Sequence, residues 1–72
     1  MQEYRVLNSE VPVEGRELTS TECAQLRLHG VKCSDTYKVI PSQNNGNHCG
    51  IVHRPQRNRD GYASIGIIVT IK

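Results

Sequence analysis

The sequence predicts a single α+β domain over residues 1–72, with a small antiparallel sheet of three to four strands covered by one short helix. Three observations lead to this fold class. One segment carries both a helix start signal and a helix stop signal. Segments rich in β-branched residues lie on both sides of it. The dipeptide Asn45-Gly46 is a strong signal for a β-hairpin between two of these segments.

The N-terminal segment QEYRVLN predicts a short, half-buried strand, because Tyr4 and Val6 alternate with charged residues. In the following segment, SEVPVEGRE, Pro12 is incompatible with a central strand and Gly15 marks a turn. We therefore expect this second segment to form an edge, or a loop that lies along the domain.

The segment ELTSTECAQLRLHGVKC predicts a complete helix. Thr19 is a good N-cap, and Glu22 three positions later completes a capping box. At the other end Gly30 suits the left-handed conformation, and Val31 supplies the apolar contact of a Schellman-type stop. Helical spacing places Glu22 on a polar face, and Ala24 and Leu28 on an apolar face. A helix of this length is not stable alone, so it must dock on the sheet.

The C-terminal half predicts three further strands. DTYKVIP and CGIVHR are rich in β-forming residues and are joined by the turn-forming segment SQNNGNH. The segment RPQRNRDGY is a second loop, with Asp60-Gly61 as its turn. In ASIGIIVTI, Ile65 and Ile67 begin an alternating apolar face that continues to Ile71.

A helix-turn-helix is the alternative interpretation of the central segment LTSTECAQLRLHGVKCSDTYKVI. This segment resembles the DNA-binding helix-turn-helix of excisionases at eight positions: Leu18, Thr19, Glu22, Ala24, Leu26, Gly30, Val31 and Ser34. Its second helix would run from Asp35 to Ile40. That segment is crowded with poor helix formers, and Pro41 disfavours the helical region for the residue before it. A strand is the favoured interpretation, and we expect residues 35–40 to be extended.

Composition and charge favour a binding protein over an enzyme. The chain of 72 residues has no Trp or Phe, so its core must consist of small aliphatic side chains, and so thin a core rarely encloses an active-site pocket. Residues 1–36 contain six acidic and four basic residues, whereas residues 37–72 contain one acid and five bases. Such polarity orients a protein on a charged partner. No apolar stretch is long enough for a membrane span. Three cysteines cannot all pair in disulfides, so we expect reduced thiols. We also expect the protein to be a soluble cytoplasmic monomer.

The cysteines and histidines raise the question of a metal site. Six potential ligands occur within a short stretch: Cys23, His29, Cys33, His48, Cys49 and His53. No Cys-x2-Cys pair is present, and buried thiols with separate histidines explain the pattern better than zinc does. Cys49 has no evident arrangement with a base and an orienting group, so a nucleophilic site is not expected. We predict no catalytic residue, no metal and no cofactor.

The arginine-rich loop is the main candidate for partner binding. Arginine offers paired donors to carboxylates, and arginine and tyrosine dominate the energetics of many interfaces. Arginines in a loop also serve solubility alone, which is the competing interpretation. The N-terminal segment is the next candidate. The predicted partner-binding residues are Arg54, Arg57, Arg59, Tyr62, Tyr4 and Arg5.

In size and in the general run of YRVLNSEVPVEGRELTSTEC, the chain resembles the small RNA-polymerase-binding transcription regulators encoded by Xanthomonas phages. The resemblance assigns no individual site residue. It implies a protein that acts in the cytoplasm of an infected bacterial host, binds the host RNA polymerase and inhibits transcription initiation through the sigma factor. It also implies antitermination as an accompanying activity and no enzymatic activity. Direct contact with nucleic acid would be secondary to the protein contacts.

Overall fold

A computed structural model of the chain describes residues 2–34, 36–57 and 61–72. Its elements in chain order are β1 (Gln2–Leu7), β2 (Arg16–Glu17), α1 (Ser20–Leu28), β3 (Lys38–Ser42), β4 (Gly46–Pro55) and β5 (Tyr62–Ile71). The strands form one five-stranded sheet in the order β1-β5-β4-β3-β2. In the described part of the chain, no helix has the length and apolar character needed to span a membrane.

The α+β class and the single short helix are confirmed, but the prediction of three to four antiparallel strands was wrong. The sheet is mixed, because β1 runs parallel to β5 whereas the other neighbouring strands are antiparallel. The backbone N–H of Lys72 continues this contact beyond β5 by donating to the carbonyl of Leu7 at 3.1 Å. The fifth strand, β2, has only two residues, too few to produce a recognisable alternation in sequence.

Helix α1 begins and ends as predicted. The Thr19 side chain accepts from the backbone N–H of Glu22, and the Glu22 carboxylate accepts from the backbone N–H of Thr19. At the C-terminal end Gly30 has φ 84°, its N–H donates to the carbonyl of Arg27, and the N–H of Val31 donates to the carbonyl of Leu26. These two bonds define a Schellman motif.

The prediction of which helix face is polar was wrong at three positions. Glu22, expected on the polar face, is fully buried, whereas Ala24 and Leu28, expected on the apolar face, are exposed, Leu28 by 80%. Helical periodicity identifies stripes of residues, but it does not show which partner side chains meet them. Here the partner of Glu22 is Arg16, whose guanidinium donates two hydrogen bonds to the buried carboxylate.

Glu22 is the centre of a buried hydrogen-bond cluster. Its carboxylate accepts from Arg16 Nη1 and Nη2, both at 2.8 Å, and from the backbone N–H of Asn8 at 2.9 Å, in addition to Thr19. Burial opposes ionisation of Glu22, but the hydrogen bonds from Arg16 and the two backbone amides outweigh it and lower the pKa to about 2. Arg16 also donates to the carbonyl of Ser9 at 3.1 Å, so the cluster joins the loop after β1 to the start of α1.

The hydrophobic core lies between α1 and one face of the sheet. Its buried side chains come from β1, α1, β3, β4, β5 and the segments that flank β2 and α1: Val6, Leu7, Val11, Leu18, Cys23, Leu26, Cys33, Val39, Val52, Ile67 and Val69. Gly50 allows β3 and β4 to pack closely beneath this core, since a Cβ there would lie 2.3 Å from Val39 Cγ2. The alternating apolar face predicted for the C-terminal strand is the face that packs here.

The segment after α1 does not form the second helix of a helix-turn-helix. Lys38–Ile40 belong to β3, which confirms the strand interpretation for these residues. Thr36 lies in a turn, and Asp35 lies outside the described residues. The helix-turn-helix interpretation therefore lacks its recognition helix in the described part of this segment.

Candidate functional site

The face of the sheet opposite α1 carries a row of three isoleucines, Ile40, Ile51 and Ile68. Ile40 is the Cα partner of Ile51, and Ile51 is the Cα partner of Ile68. Paired residues in neighbouring strands share a face, so this isoleucine row crosses β3, β4 and β5 over about 10 Å. The adjacent residues in each strand, such as Val39 and Val52, point to the core. All three isoleucines remain partly exposed.

One end of this outer face is basic and aromatic. Lys38 and His53 are Cα partners, two residues along their strands from Ile40 and Ile51 respectively. Lys38 Nζ lies 5.6 Å from the ring centroid of Tyr62, a cation–π geometry, and Tyr62 is 45% exposed. Burial and the nearby ammonium of Lys38 lower the pKa of His53, so His53 is uncharged at neutral pH.

Arg57 extends the positive charge beyond this pair, since it is exposed in the loop that follows β4. Arg54 is also exposed, but it follows His53 in β4 and is the Cα partner of Ala63, so it lies on the helix-side face. We call Lys38, Arg57 and Tyr62 the basic end, and the sheet surface opposite α1 the outer face.

Acidic residues also border the isoleucine row. Glu17 is the Cα partner of Lys38, Glu3 is the Cα partner of Ile68, and both glutamates are exposed. The isoleucine row and the basic end therefore form one surface with an apolar centre and a charged border.

The sequence-predicted binding residues do not all reach this surface. Arg57 and Tyr62 lie at the basic end, Arg54 is exposed in β4 but lies on the helix-side face, and Arg59 lies outside the described residues. Tyr4 belongs to the helix-side face of the sheet: its ring centroid is 5.0 Å from that of His29, and its hydroxyl donates to the side chain of Gln2.

Arg5 lies on the outer face but at its opposite end. It is the Cα partner of Thr70, eight residues along β5 from Tyr62, which corresponds to a separation on the order of 20 Å. Arg5 and the basic end therefore flank the isoleucine row from two sides, whereas Tyr4 does not take part in this surface.

Sequence reasoning missed Lys38 and the isoleucine row. The signal was present in consecutive apolar pairs such as Val39-Ile40 and Ile51-Val52. A strand with only one buried face alternates apolar and polar residues, so consecutive apolar residues indicate that both faces carry apolar side chains. The prediction from the sequence relied on the capped helix and the arginine-rich loop and did not use these apolar pairs.

The potential metal ligands are distributed over both faces of the sheet. His29 stacks against Tyr4, His48 Nδ1 lies 3.5 Å from Glu10 Oε1, and Cys49 is a buried residue of β4. Among residues 2–34, 36–57 and 61–72, no group of three or more histidine, cysteine or acidic side chains is placed to hold a metal ion. Cys23 and Cys33 contact each other through their sulfur atoms.

A shallow depression of about 370 Å³ lies on the helix side, remote from the outer face, and is lined by Arg27, Gly30, Val31, Lys32 and Cys33. Among the residues that the structure describes, this lining contains cations and a thiol but no carboxylate or histidine that could act as a general base. Comparison with known proteins gives no match to this chain: no family model, no curated protein and no solved structure.

Proposed function

We propose that this chain is a non-enzymatic regulator that binds a partner protein through the outer face of its sheet. The observation that supports this proposal is the continuous surface formed by the isoleucine row and the basic end. An apolar centre with a polar border is the usual organisation of a protein interface, and arginine and tyrosine are its most effective residues. The domain measures 33 × 26 Å in its two longest directions, which accommodates the roughly 800 Å² per partner of a standard interface.

The charge of the outer face selects the kind of partner. The basic end carries Lys38 and Arg57, and residues 37–72 contain five basic residues against one acid. An acidic protein surface with an apolar centre complements this pattern. Such charges mainly accelerate encounter and fix orientation, whereas desolvated apolar contacts slow dissociation.

The proposed partner is the RNA polymerase of a bacterial host, and the proposed effect is inhibition of transcription initiation. The resemblance to phage-encoded regulators supports this choice of partner, and the outer face is compatible with it. The site of action is then the host cytoplasm. Antitermination is part of the proposal as a second consequence of polymerase binding.

Binding kinetics with purified bacterial RNA polymerase test the proposal. We expect the full chain to bind the holoenzyme. In Arg57→Glu, association should slow several-fold, because electrostatic steering is weakened. In Ile51→Thr, dissociation should accelerate by about tenfold, corresponding to about 1.4 kcal/mol from a central apolar contact. Lys32→Glu is the matched control, since Lys32 is an exposed cation on the helix side.

Thermal unfolding of each variant shows whether it is folded before its binding is interpreted. If the folded variants bind as tightly and as fast as the wild-type chain, the outer face is not the interface. A promoter-dependent initiation assay and elongation through a terminator from a preassembled scaffold then test the two effects. Initiation should be inhibited, and readthrough of the terminator should increase.

Duplex DNA alone serves as the second ligand in the same measurements. If the chain binds DNA, and the logarithm of its binding constant falls steeply and linearly with the logarithm of salt concentration, the nucleic-acid-binding alternative is favoured. A protein interface with an apolar centre should retain much of its affinity as salt rises.

A further inference from the structure

Two of the three cysteines lie in direct contact inside the core. Cys33 Sγ is 3.2 Å from Cys23 Sγ, and Cys23 Sγ in turn donates to the carbonyl of Ser34 at 3.2 Å. Both residues are buried and both are free thiols. Cys23 belongs to α1, whereas Cys33 belongs to the segment that connects α1 to β3. A disulfide requires the two sulfur atoms to approach by only about 1.2 Å more.

A route from solvent reaches one member of this pair. Cys33 is 8% exposed and lines the shallow depression on the helix side, next to Arg27 and Lys32, whereas Cys23 is 2% exposed and lies deeper. Arg27 Nε also donates to the carbonyl of Cys33 at 2.9 Å, which holds the connecting segment against α1. The more accessible Cys33 is suited to react first with an oxidant, and the deeper Cys23 is suited to act as the resolving thiol.

We infer that Cys23 and Cys33 form a reversible intramolecular disulfide when the chain meets a low-molecular-weight disulfide oxidant such as oxidised glutathione. In the first step, the Cys33 thiol loses its proton and its sulfur attacks one sulfur of the oxidant. The disulfide bond of the oxidant breaks, and one glutathione thiolate leaves and takes up a proton. In the second step, Cys23 loses its proton and its sulfur attacks Cys33 Sγ. The second glutathione leaves as a thiolate and is protonated.

The net reaction oxidises two protein thiols to one disulfide and reduces one glutathione disulfide to two thiols. Burial, together with the neighbouring Cys23 thiol, raises the pKa of Cys33 to about 12. The Cys33 thiol therefore stays protonated and reacts slowly, and in a reducing cytoplasm the two cysteines remain a dithiol. Formation of the disulfide then indicates that the protein has entered an oxidising environment.

The disulfide should stabilise the fold. It closes the chain from residue 23 to residue 33 and so restricts the unfolded state, while the native positions change little. For a loop of this length the chain-entropy model and the size of the domain together predict a rise in melting temperature on the order of 10 °C. Cys49 lies in β4 and takes no part.

Equilibration of the full-length chain in glutathione buffers of graded redox potential tests the inference. We expect the oxidised protein to lose the mass of two hydrogen atoms and to retain one thiol that is alkylated after denaturation. Trypsin cleaves after Arg16, Arg27, Lys32 and Lys38. Without reduction, the digest should therefore contain residues 17–27 linked to residues 33–38. Reduction should release the two peptides and return the melting temperature to its original value.

Variants locate the effect. Cys49→Ser should retain the linked peptides and the rise in melting temperature, whereas Cys23→Ser should lose both. The linked peptides and the melting temperature are also measured on the wild-type chain with and without reductant. The inference therefore remains testable even if Cys23→Ser does not fold. Absence of the linked peptides at every potential, a link that includes residues 39–57 instead, or an oxidised form that melts no higher than the reduced form would overturn the inference.

Discussion

Replacing Glu22 by Gln should destabilise the domain more than its position on a short helix suggests. The Glu22 carboxylate is fully buried and accepts four hydrogen bonds, two from Arg16 and one each from the backbone N–H groups of Thr19 and Asn8. Glutamine keeps the shape of the side chain, but its amide nitrogen would face donors, and the guanidinium would lose its counter-charge. Breaking a buried ion pair from one side typically costs about 3–5 kcal/mol.

The pKa of Glu22 leads to a similar magnitude by a separate route. Its ordinary value of 4.5 falls to about 2 in the folded chain. A difference of this size corresponds to about 3 kcal/mol of folding free energy at neutral pH. Because the folded-state pKa is the lower one, this contribution is present in full above pH 4.5 and is lost as the pH falls toward 2. For a small domain near the low end of the usual 5–15 kcal/mol range, that is a large fraction of the total.

Urea unfolding of the wild-type chain and Glu22→Gln between pH 7 and pH 2 measures this effect. The free energies of unfolding should differ by about 3 kcal/mol at pH 7 and converge to within about 0.5 kcal/mol at pH 2. Glu14→Gln is the matched control, because Glu14 is exposed in the turn before β2 and its replacement should leave the curve unchanged. A constant difference at all pH values would refute the assignment of this stability to the ionised carboxylate.

Three further outcomes follow from the fold. Gly50→Ala should lower the free energy of unfolding in urea by about 1–3 kcal/mol, because its Cβ would lie 2.3 Å from Val39 Cγ2 and 3.0 Å from the carbonyl oxygen of Ile40. An unchanged free energy of unfolding would show that β3 shifts freely. Thr19→Ala removes the N-cap acceptor and should cost about 1 kcal/mol, with a loss of helical circular dichroism on mild heating; unchanged stability would mean that solvent replaces the cap. A strong chelator should leave the melting temperature unchanged, whereas a fall of several degrees would indicate that the cysteines and histidines bind a metal.

Local signals in the sequence were sufficient to predict the helix and the four longer strands. The start of α1 depends on hydrogen bonds between Thr19 and Glu22, and its end depends on Gly30 and the two residues around it, so both are encoded within one turn of chain. The hairpin at Asn45-Gly46 and the alternating core face of β5 are equally local. Consecutive apolar residues in β3, β4 and β5 also recorded that the outer face is partly apolar, although the pattern was not recognised in advance.

The tertiary structure decided which distant residues meet. The parallel pairing of β1 with β5 joins segments that are more than sixty residues apart, and nothing in either segment distinguishes this partner from another strand edge. The burial of Glu22 depended on Arg16 arriving from β2, because a carboxylate enters a core only when a counter-charge and enough donors are present there. The same holds for the outer face: Lys38 and Tyr62 come together only through the register of β3, β4 and β5. Alternation specifies the face on which a side chain lies, whereas strand order and register, set by the burial of the whole core, specify its neighbours.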